Sequence, residues 1–266
     1  MPETLLELQA VKKYFPVRRG ILRKTSGYVK AVDGIDLVVR EGENLGIVGE
    51  SGSGKTTLGR LILRLLEVDS GRIIFKGQEI NLLTPRKMQE IRKEVQIVFQ
   101  DPFTSLDPRF NIEDIISEGL IYFPDKSWQA KKNRVRELLE LVGLSADMIN
   151  RFPHEFSGGE RQRIAIARSL ATNPKFLVLD EAVSSLDVLI QSQILHLFLA
   201  LQQEFGLTYL FISHNLRVVK KVCSRIAVMY QGKIIEEASC ADIFENASQA
   251  YTRQLLAAAI DFSVSK

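Results

Sequence analysis

Residues Gly49, Glu50, Ser51, Gly52, Ser53, Gly54, Lys55 and Thr56 match the pattern G-x-x-x-x-G-K-[ST], and Thr57 follows. Glycines at this spacing let consecutive backbone N–H groups turn inward around phosphate oxygens. A helix opening at Lys55 points its positive end at the same place. Lys55 then reaches the β- and γ-phosphates of a nucleotide, and the Thr56 hydroxyl ligates Mg²⁺. Further on, the apolar run Phe176-Leu177-Val178-Leu179 ends in Asp180 and Glu181. Buried parallel strands read this way, and ligands bind at their carboxyl ends. That position suits Asp180 to hold Mg²⁺ through water and Glu181 to orient and activate an attacking water. A third group, Ser157-Gly158-Gly159, precedes the helical run 164–170. Such a helix start exposes N–H donors and makes a second anion site. One phosphate loop needs no second anion site in its own chain, so this one is expected to face the nucleotide of a partner subunit. Taken singly, an Asp-Glu pair at a strand end and a serine cap with two glycines are ordinary surface features. The phosphate loop gives them weight.

The elements that must position these residues are legible from periodicity and punctuation. The run 44–48 is a short apolar strand before the loop, and 58–66 has helical apolar spacing after it. Strands are predicted at 5–14, 28–32, 35–40, 72–75, 95–99, 176–179, 208–213, 225–230 and 233–237. The intervening stretch 16–27, with Arg18, Arg19, Arg23 and Lys24, reads as a basic loop. Asp33-Gly34 reads as a turn between two strands. Helices are predicted at 86–92, 111–122, 127–142, from 159, at 188–205 and at 216–222. Strands alternating with helices argue for an α/β core with a mainly parallel sheet. The stretch 101–156 reads as an inserted helical subdomain, and 241–266 as a short helical tail. The whole chain, 1–266, is therefore read as one nucleotide-binding domain.

Bulk properties exclude more than they select. The 266 residues are 45% hydrophobic and 25% charged, which fits an ordinary globular chain and excludes collagenous and disordered classes. Net charge is +3 with the signs interleaved, so bulk charge makes no case for a nucleic-acid partner. Cys223 and Cys240 form neither a CxxC pair nor a metal spacing, as expected in a reducing compartment. The start carries no signal-peptide pattern, and no stretch reaches the roughly 18 apolar residues of a membrane span.

With those residues in place, the chain resembles the nucleotide-binding subunits of ABC transporters over nearly its whole length. Ser157-Gly158-Gly159-Glu160 looks like the family's signature motif, with Phe156 and Glu160 departing from its commonest form. The resemblance implies a P-loop ABC-ATPase core with an N-terminal antiparallel β subdomain and an inserted α-helical subdomain. It implies further that Gln100 touches the metal and the attacking water, that Ser184-Ser185-Leu186-Asp187 crosses a dimer interface, and that His214 contacts the γ-phosphate. His154 and His196 read as structural. An aromatic residue that stacks on adenine is also implied; Tyr14 is the first candidate and Tyr28 the second. ATP and Mg²⁺ are the implied substrate and ion.

Within the family, YVKAVDG at 28–34, GIVGESGSGK at 46–55, QDPFTSLDP at 100–108 and PHEFSGG at 153–159 resemble the oligopeptide/dipeptide and nickel importers. The basic loop after Tyr14 and the terminal Ala250-Tyr251-Thr252-Arg253-Gln254-Leu255-Leu256 resemble the F-type member of a two-ATPase pair. The implied partners are two transmembrane permease subunits, a second ATPase subunit that is either a related chain, as expected, or a second copy of this one, and, indirectly, an extracytoplasmic substrate-binding protein. The implied place is the cytoplasmic face of the cell membrane. With no cysteine after Cys240, no iron–sulfur cluster is expected. The rival class is a soluble ABC ATPase acting on DNA or ribosomes. About 100 residues separate Lys55 from Ser157 with no heptad run, which leaves no room for the long coiled coil that class would need.

Overall fold

A computed structural model describes residues 3–19, 24–101, 105–122, 125 and 127–261. The tip of the basic loop including Arg23, positions 102–104 of the QDPFTSLDP segment and the end of the tail at 262–266 lie outside the described residues. The strands are β1 (Thr4–Arg19), β2 (Lys24–Arg40), β3 (Asn44–Val48), β4 (Ser70–Phe75), β5 (Gln78–Glu79), β6 (Val95–Val98), β7 (Phe176–Asp180), β8 (Thr208–Ser213), β9 (Arg225–Tyr230) and β10 (Lys233–Ser239). The helices are α1 (Lys55–Ile62), α2 (Pro85–Glu94), α3 (Ile112–Ser117), α4 (Trp128–Leu141), α5 (Gly158–Leu170), α6 (Val188–Phe205), α7 (Leu216–Val222), α8 (Cys240–Glu245) and α9 (Ala250–Asp261). They divide between two units, one made of 1–88 with 208–266 and the other of 89–207.

In the first unit, β2, β1, β4 and β5 lie side by side in that order as an antiparallel sheet. Its apolar face buries Leu6, Leu8, Val11, Ile35, Leu37, Val39, Ile73 and Phe75. The stretch read as a basic loop is mostly strand. The pairing of β1 with β2 continues through Tyr14 with Lys30 and Pro16 with Tyr28 to Arg19 with Lys24. Among the described residues no third strand pairs with this distal ladder, and Phe15, Pro16 and 25–30 are exposed, so its sequence carries no apolar alternation to betray it. Nor is Asp33-Gly34 a turn between strands. Val11 pairs with Ile35 and Lys12 with Asp33, which leaves Gly34 as the extra residue of a bulge inside one long strand.

The other sheet of this unit is mainly parallel. β3 lies between β8 and β9 and runs parallel to both, while β10 returns antiparallel to β9. Every residue of β3 and β8 is buried. A parallel strand covered on both faces needs a continuous apolar run, which is why these strands were legible.

In the second unit, β6 pairs parallel with β7, Val98 standing opposite Leu179. The helices of 112–150 follow β6 in the chain. Asn111 caps α3 by accepting from the Asp114 N–H, and Ser127 caps α4 by accepting from Ala130. The helix expected over 111–122 changes character at Glu118 and finishes as a 3₁₀ turn to Tyr122. Ile112, Ile115 and Ile116 of α3 and Val135, Leu138 and Leu139 of α4 are buried. Among the described residues no helix is long and apolar enough to cross a membrane.

Candidate functional site

In the first unit, the loop 49–54 leaves the end of β3 and enters α1 at Lys55. Gly54 is the N-cap, has no side chain with which to cap, and takes φ 108°. A Cβ there would stand 2.0 Å from the Ala31 carbonyl oxygen, so only glycine fits this close approach. No side chain of the N-cap residue therefore caps the start of α1, whose positive end faces the loop. Lys55 is 4% exposed, and its ammonium donates to the carbonyls of Gly49 at 2.7 Å and Glu50 at 2.8 Å and to the Ser53 hydroxyl at 3.3 Å. From outside the loop, the Gly232 N–H in the β9–β10 turn donates to the Ser53 carbonyl at 3.0 Å. Glu50, Ser51 and Gly52 are exposed, while Thr56 and Thr57 are half-buried.

His214 is exposed and directly follows β8. Because Val48 stands opposite Ser213, the chain leaves β3 into the loop beside the point where it leaves β8 into His214. The structure thus brings the loop and His214 to the same edge of one sheet. Asn215 then caps α7 by accepting from the Arg217 N–H.

The aromatic candidates differ in freedom. The Tyr14 hydroxyl donates to the Asp33 carboxylate, and the Lys30 ammonium sits 5.5 Å from the Tyr14 ring centre. The hydrogen bond from Tyr14 holds the Asp33 carboxyl below its ordinary range, helped by Lys30 and Lys233. Tyr28 is exposed, as is Phe15, whose ring the sequence reading passed over. Phe15 follows Tyr14 in a strand, so its side chain points to the opposite face. The alternation would have exposed it had 16–27 been read as strand.

In the second unit, β7 is buried throughout and delivers Asp180, 5% exposed, at its carboxyl end. Glu181 follows with φ 51°, a left-handed conformation unusual for a glutamate. Its carbonyl accepts from both the N–H and the hydroxyl of Ser184 at 3.0 and 2.9 Å, which fixes the turn. Asp187 caps α6 by accepting from the Ile190 N–H. The register of β6 with β7 brings Gln100 out near Asp180 and Glu181, and the Ser185 hydroxyl donates to the Gln100 carbonyl at 3.4 Å.

Ser157 opens α5 with a reciprocal cap. Its hydroxyl accepts from the Glu160 N–H, and its own N–H donates to the Glu160 carboxylate at 2.8 Å. That bond, with the one from the Ser157 hydroxyl, lowers the Glu160 pKa below the ordinary 4.5. A Cβ on Gly159 would stand 2.6 Å from Ile190, so glycine is what lets α5 start against α6.

The donor set fits a nucleotide carried with Mg²⁺. Among the described residues no cluster of three or more His, Cys, Asp or Glu could cage a metal. The half-buried Thr56 of the first unit and, separately, the buried Asp180 carboxylate of the second are each of the oxygen type that suits an ion keeping its waters and taking phosphate oxygens as ligands.

Residues 32–184 match the ABC transporter family, to which this chain belongs. It is an ABC-type ATPase of the P-loop α/β fold, with ATP and Mg²⁺ as its substrate and ion. Among curated relatives it is 49% identical to the oligopeptide transport ATP-binding protein AppF of Bacillus subtilis (strain 168), over 96% of this chain and 78% of that protein. It is 50% identical to the glutathione import ATP-binding protein GsiA of Escherichia coli (strain K12), again over 96% of this chain. It spans only 41% of GsiA's length. Among solved structures, the ATP-binding cassette MJ0796, described as dimeric and bound to ADP and Pi, superposes with a TM-score of 0.78 at 28% identity, covering 89% of this chain and 99% of that one. CbiO1 from Clostridium perfringens, part of the ABC transporter complex cbiONQ, gives 0.78 at 26% identity over 99% of this chain and 100% of its own.

Proposed function

We propose that this chain is the energy-coupling ATPase of an importer for oligopeptides. Its partners in that reading are two transmembrane permease subunits, a second related ATPase subunit and, indirectly, an extracytoplasmic substrate-binding protein, with the ATPase peripheral on the cytoplasmic face of the membrane. The observation that carries the reading is 49% identity across 96% of the chain to a protein named for oligopeptide transport. The likeness to GsiA, named for glutathione import, supports the same cargo class, since glutathione is itself a tripeptide.

In this reading the loop 49–57 cradles the phosphates and Lys55 exchanges one of its loop partners for a phosphate oxygen. Thr56, with Asp180 through water and Gln100, serves the Mg²⁺, and Glu181 activates the attacking water. His214 senses the γ-phosphate. Phe15 replaces Tyr14 as the adenine stack, with Tyr28 still the alternative, because both rings are exposed while the Tyr14 hydroxyl is tied to Asp33. ATP bridges two subunits, from the phosphate loop of one to Ser157-Gly158-Gly159 of the other. Binding closes the pair and hydrolysis reopens it.

Gentle detergent extraction of the tagged chain from its own cells tests the assembly. Two multi-span membrane subunits and a second ATPase are expected to co-purify. The complex in proteoliposomes should then take up oligopeptides with ATP, and fail to do so with Lys55→Ala. Nickel uptake without peptide uptake would move the cargo. Co-purifying ribosomal or DNA-repair proteins with no membrane subunits would overturn the importer.

A further inference from the structure

We propose that Tyr251, in the first turn of α9, is a positioning residue for the phosphate loop and sets how tightly the loop binds nucleotide. The inference rests on the loop 49–57 being the nucleotide site. The Glu50 N–H, in the middle of that loop, donates to the Tyr251 hydroxyl oxygen at 3.0 Å. Glu50 shares its peptide plane with the Gly49 carbonyl, and in a trans peptide the N–H and the C=O point to opposite sides. That carbonyl accepts from the Lys55 ammonium at 2.7 Å. One rigid plane is therefore gripped at both ends, by a tyrosine from the C-terminal helix and by the lysine that serves the phosphates. Rotation of the plane would release Lys55 from one of its three loop partners.

The tyrosine is itself held. Its ring packs against Tyr230 with centres 4.3 Å apart, at the end of β9. The start of α9 is pinned to β10, because the Glu236 carboxylate accepts from the Ser248 N–H at 2.6 Å, the Ser248 hydroxyl at 2.8 Å and the Gln249 N–H at 3.2 Å. Thr252 is buried and the Arg253 guanidinium donates to the carbonyls of Ala247 and Ser248, which closes the turn before the helix. The strand β10 begins at the same turn whose Gly232 braces Ser53. The tail segment Ala250-Tyr251-Thr252-Arg253 thus has a role in the loop's geometry that its distance in sequence hides.

Tyr251→Phe keeps the ring and removes the hydrogen-bond acceptor. In the full-length chain we expect nucleotide dissociation constants about three- to tenfold higher than wild type, the loss of one neutral hydrogen bond. In the assembled ATPase the change should fall on KM for ATP rather than on kcat. Hydrogen exchange of the wild-type chain supplies a reading that needs no variant: the Glu50 amide should exchange slowly although Glu50 is exposed, and fast in Tyr251→Phe. A Tyr251→Phe chain that binds ADP and ATP as wild type does, or a wild-type Glu50 amide without protection, overturns the clamp. Lys55→Ala run in parallel separates the two ideas, since unimpaired nucleotide binding by that variant would instead overturn the site itself.

Discussion

At the scale of single residues, the question with the sharpest test is which ring meets the adenine base. Tyr14 has its hydroxyl committed to Asp33, its backbone N–H committed to the Asp69 carboxylate at 2.6 Å, and a lysine over its ring. Phe15 has an exposed ring, with the Lys13 ammonium 5.8 Å from its centre. Phe15→Ala should therefore raise KM for ATP about tenfold, as the loss of one aromatic stack of about 1–1.5 kcal/mol would. Tyr14→Phe, which removes only the bond to Asp33, should leave nucleotide affinity alone and cost stability instead. Titration with a fluorescent ATP analogue distinguishes the two, and the reverse ranking would restore Tyr14. The phosphate loop, Asp180 and Glu181 were legible as residues because phosphate and Mg²⁺ demand particular types at particular spacings. The roles proposed for Phe15 and Tyr251 were not legible. They depend on which face of a ladder a ring occupies and on a hydrogen bond between positions 201 residues apart.

At the scale of elements, the buried parallel strands announced themselves, since β3, β7 and β8 are apolar from end to end. The distal half of the β1–β2 ladder did not, because Pro16 obeys turn chemistry and the residues after it show no apolar alternation. Helix α5 carries a test of its own. The Glu160 carboxylate accepts from the Ser157 N–H and hydroxyl, so its pKa lies below the unfolded 4.5. The sign follows from that depression: the cap stabilises the helix start above pH 4.5 and is lost as pH falls through the lower folded value. Glu160→Gln should then flatten the dependence of melting temperature on pH as pH falls below 4.5, compared with wild type. Ser157→Ala, removing the other half, should cost about 1 kcal/mol in denaturant unfolding at neutral pH. An unchanged acid limb in Glu160→Gln would show the cap to be dispensable.

At the scale of the whole molecule, the two anion-binding features fall in different units of the chain, the phosphate loop in one and Ser157-Gly158-Gly159 in the other. In the proposed cycle they serve different nucleotides, each completed by a second subunit. Glu181→Gln should accordingly bind ATP yet hydrolyse it at least a hundredfold more slowly, and accumulate as a closed pair with its partner ATPase. Light scattering with and without ATP reads the pair directly. Turnover at the wild-type rate would remove Glu181 from the water-activating role.

The ribbon formed by β1 and β2 has a consequence for the company this chain keeps. Past Lys12, where β1 last pairs with β4, seven residues to Arg19 continue in a two-stranded ladder about 20 Å long. Such a ladder presents backbone edges to any passing strand, and proteins blunt that hazard with charge. On the β1 edge the Asp69 carboxylate takes the Tyr14 N–H just where β4 stops, a side chain standing in for the missing neighbour. Farther along, the sequence carries the charges of Arg18, Arg19 and Lys24. Replacing those three with threonine should leave nucleotide binding intact and yet make the protein aggregate through this arm, so that positive charge here serves to keep other copies away rather than to attract a ligand.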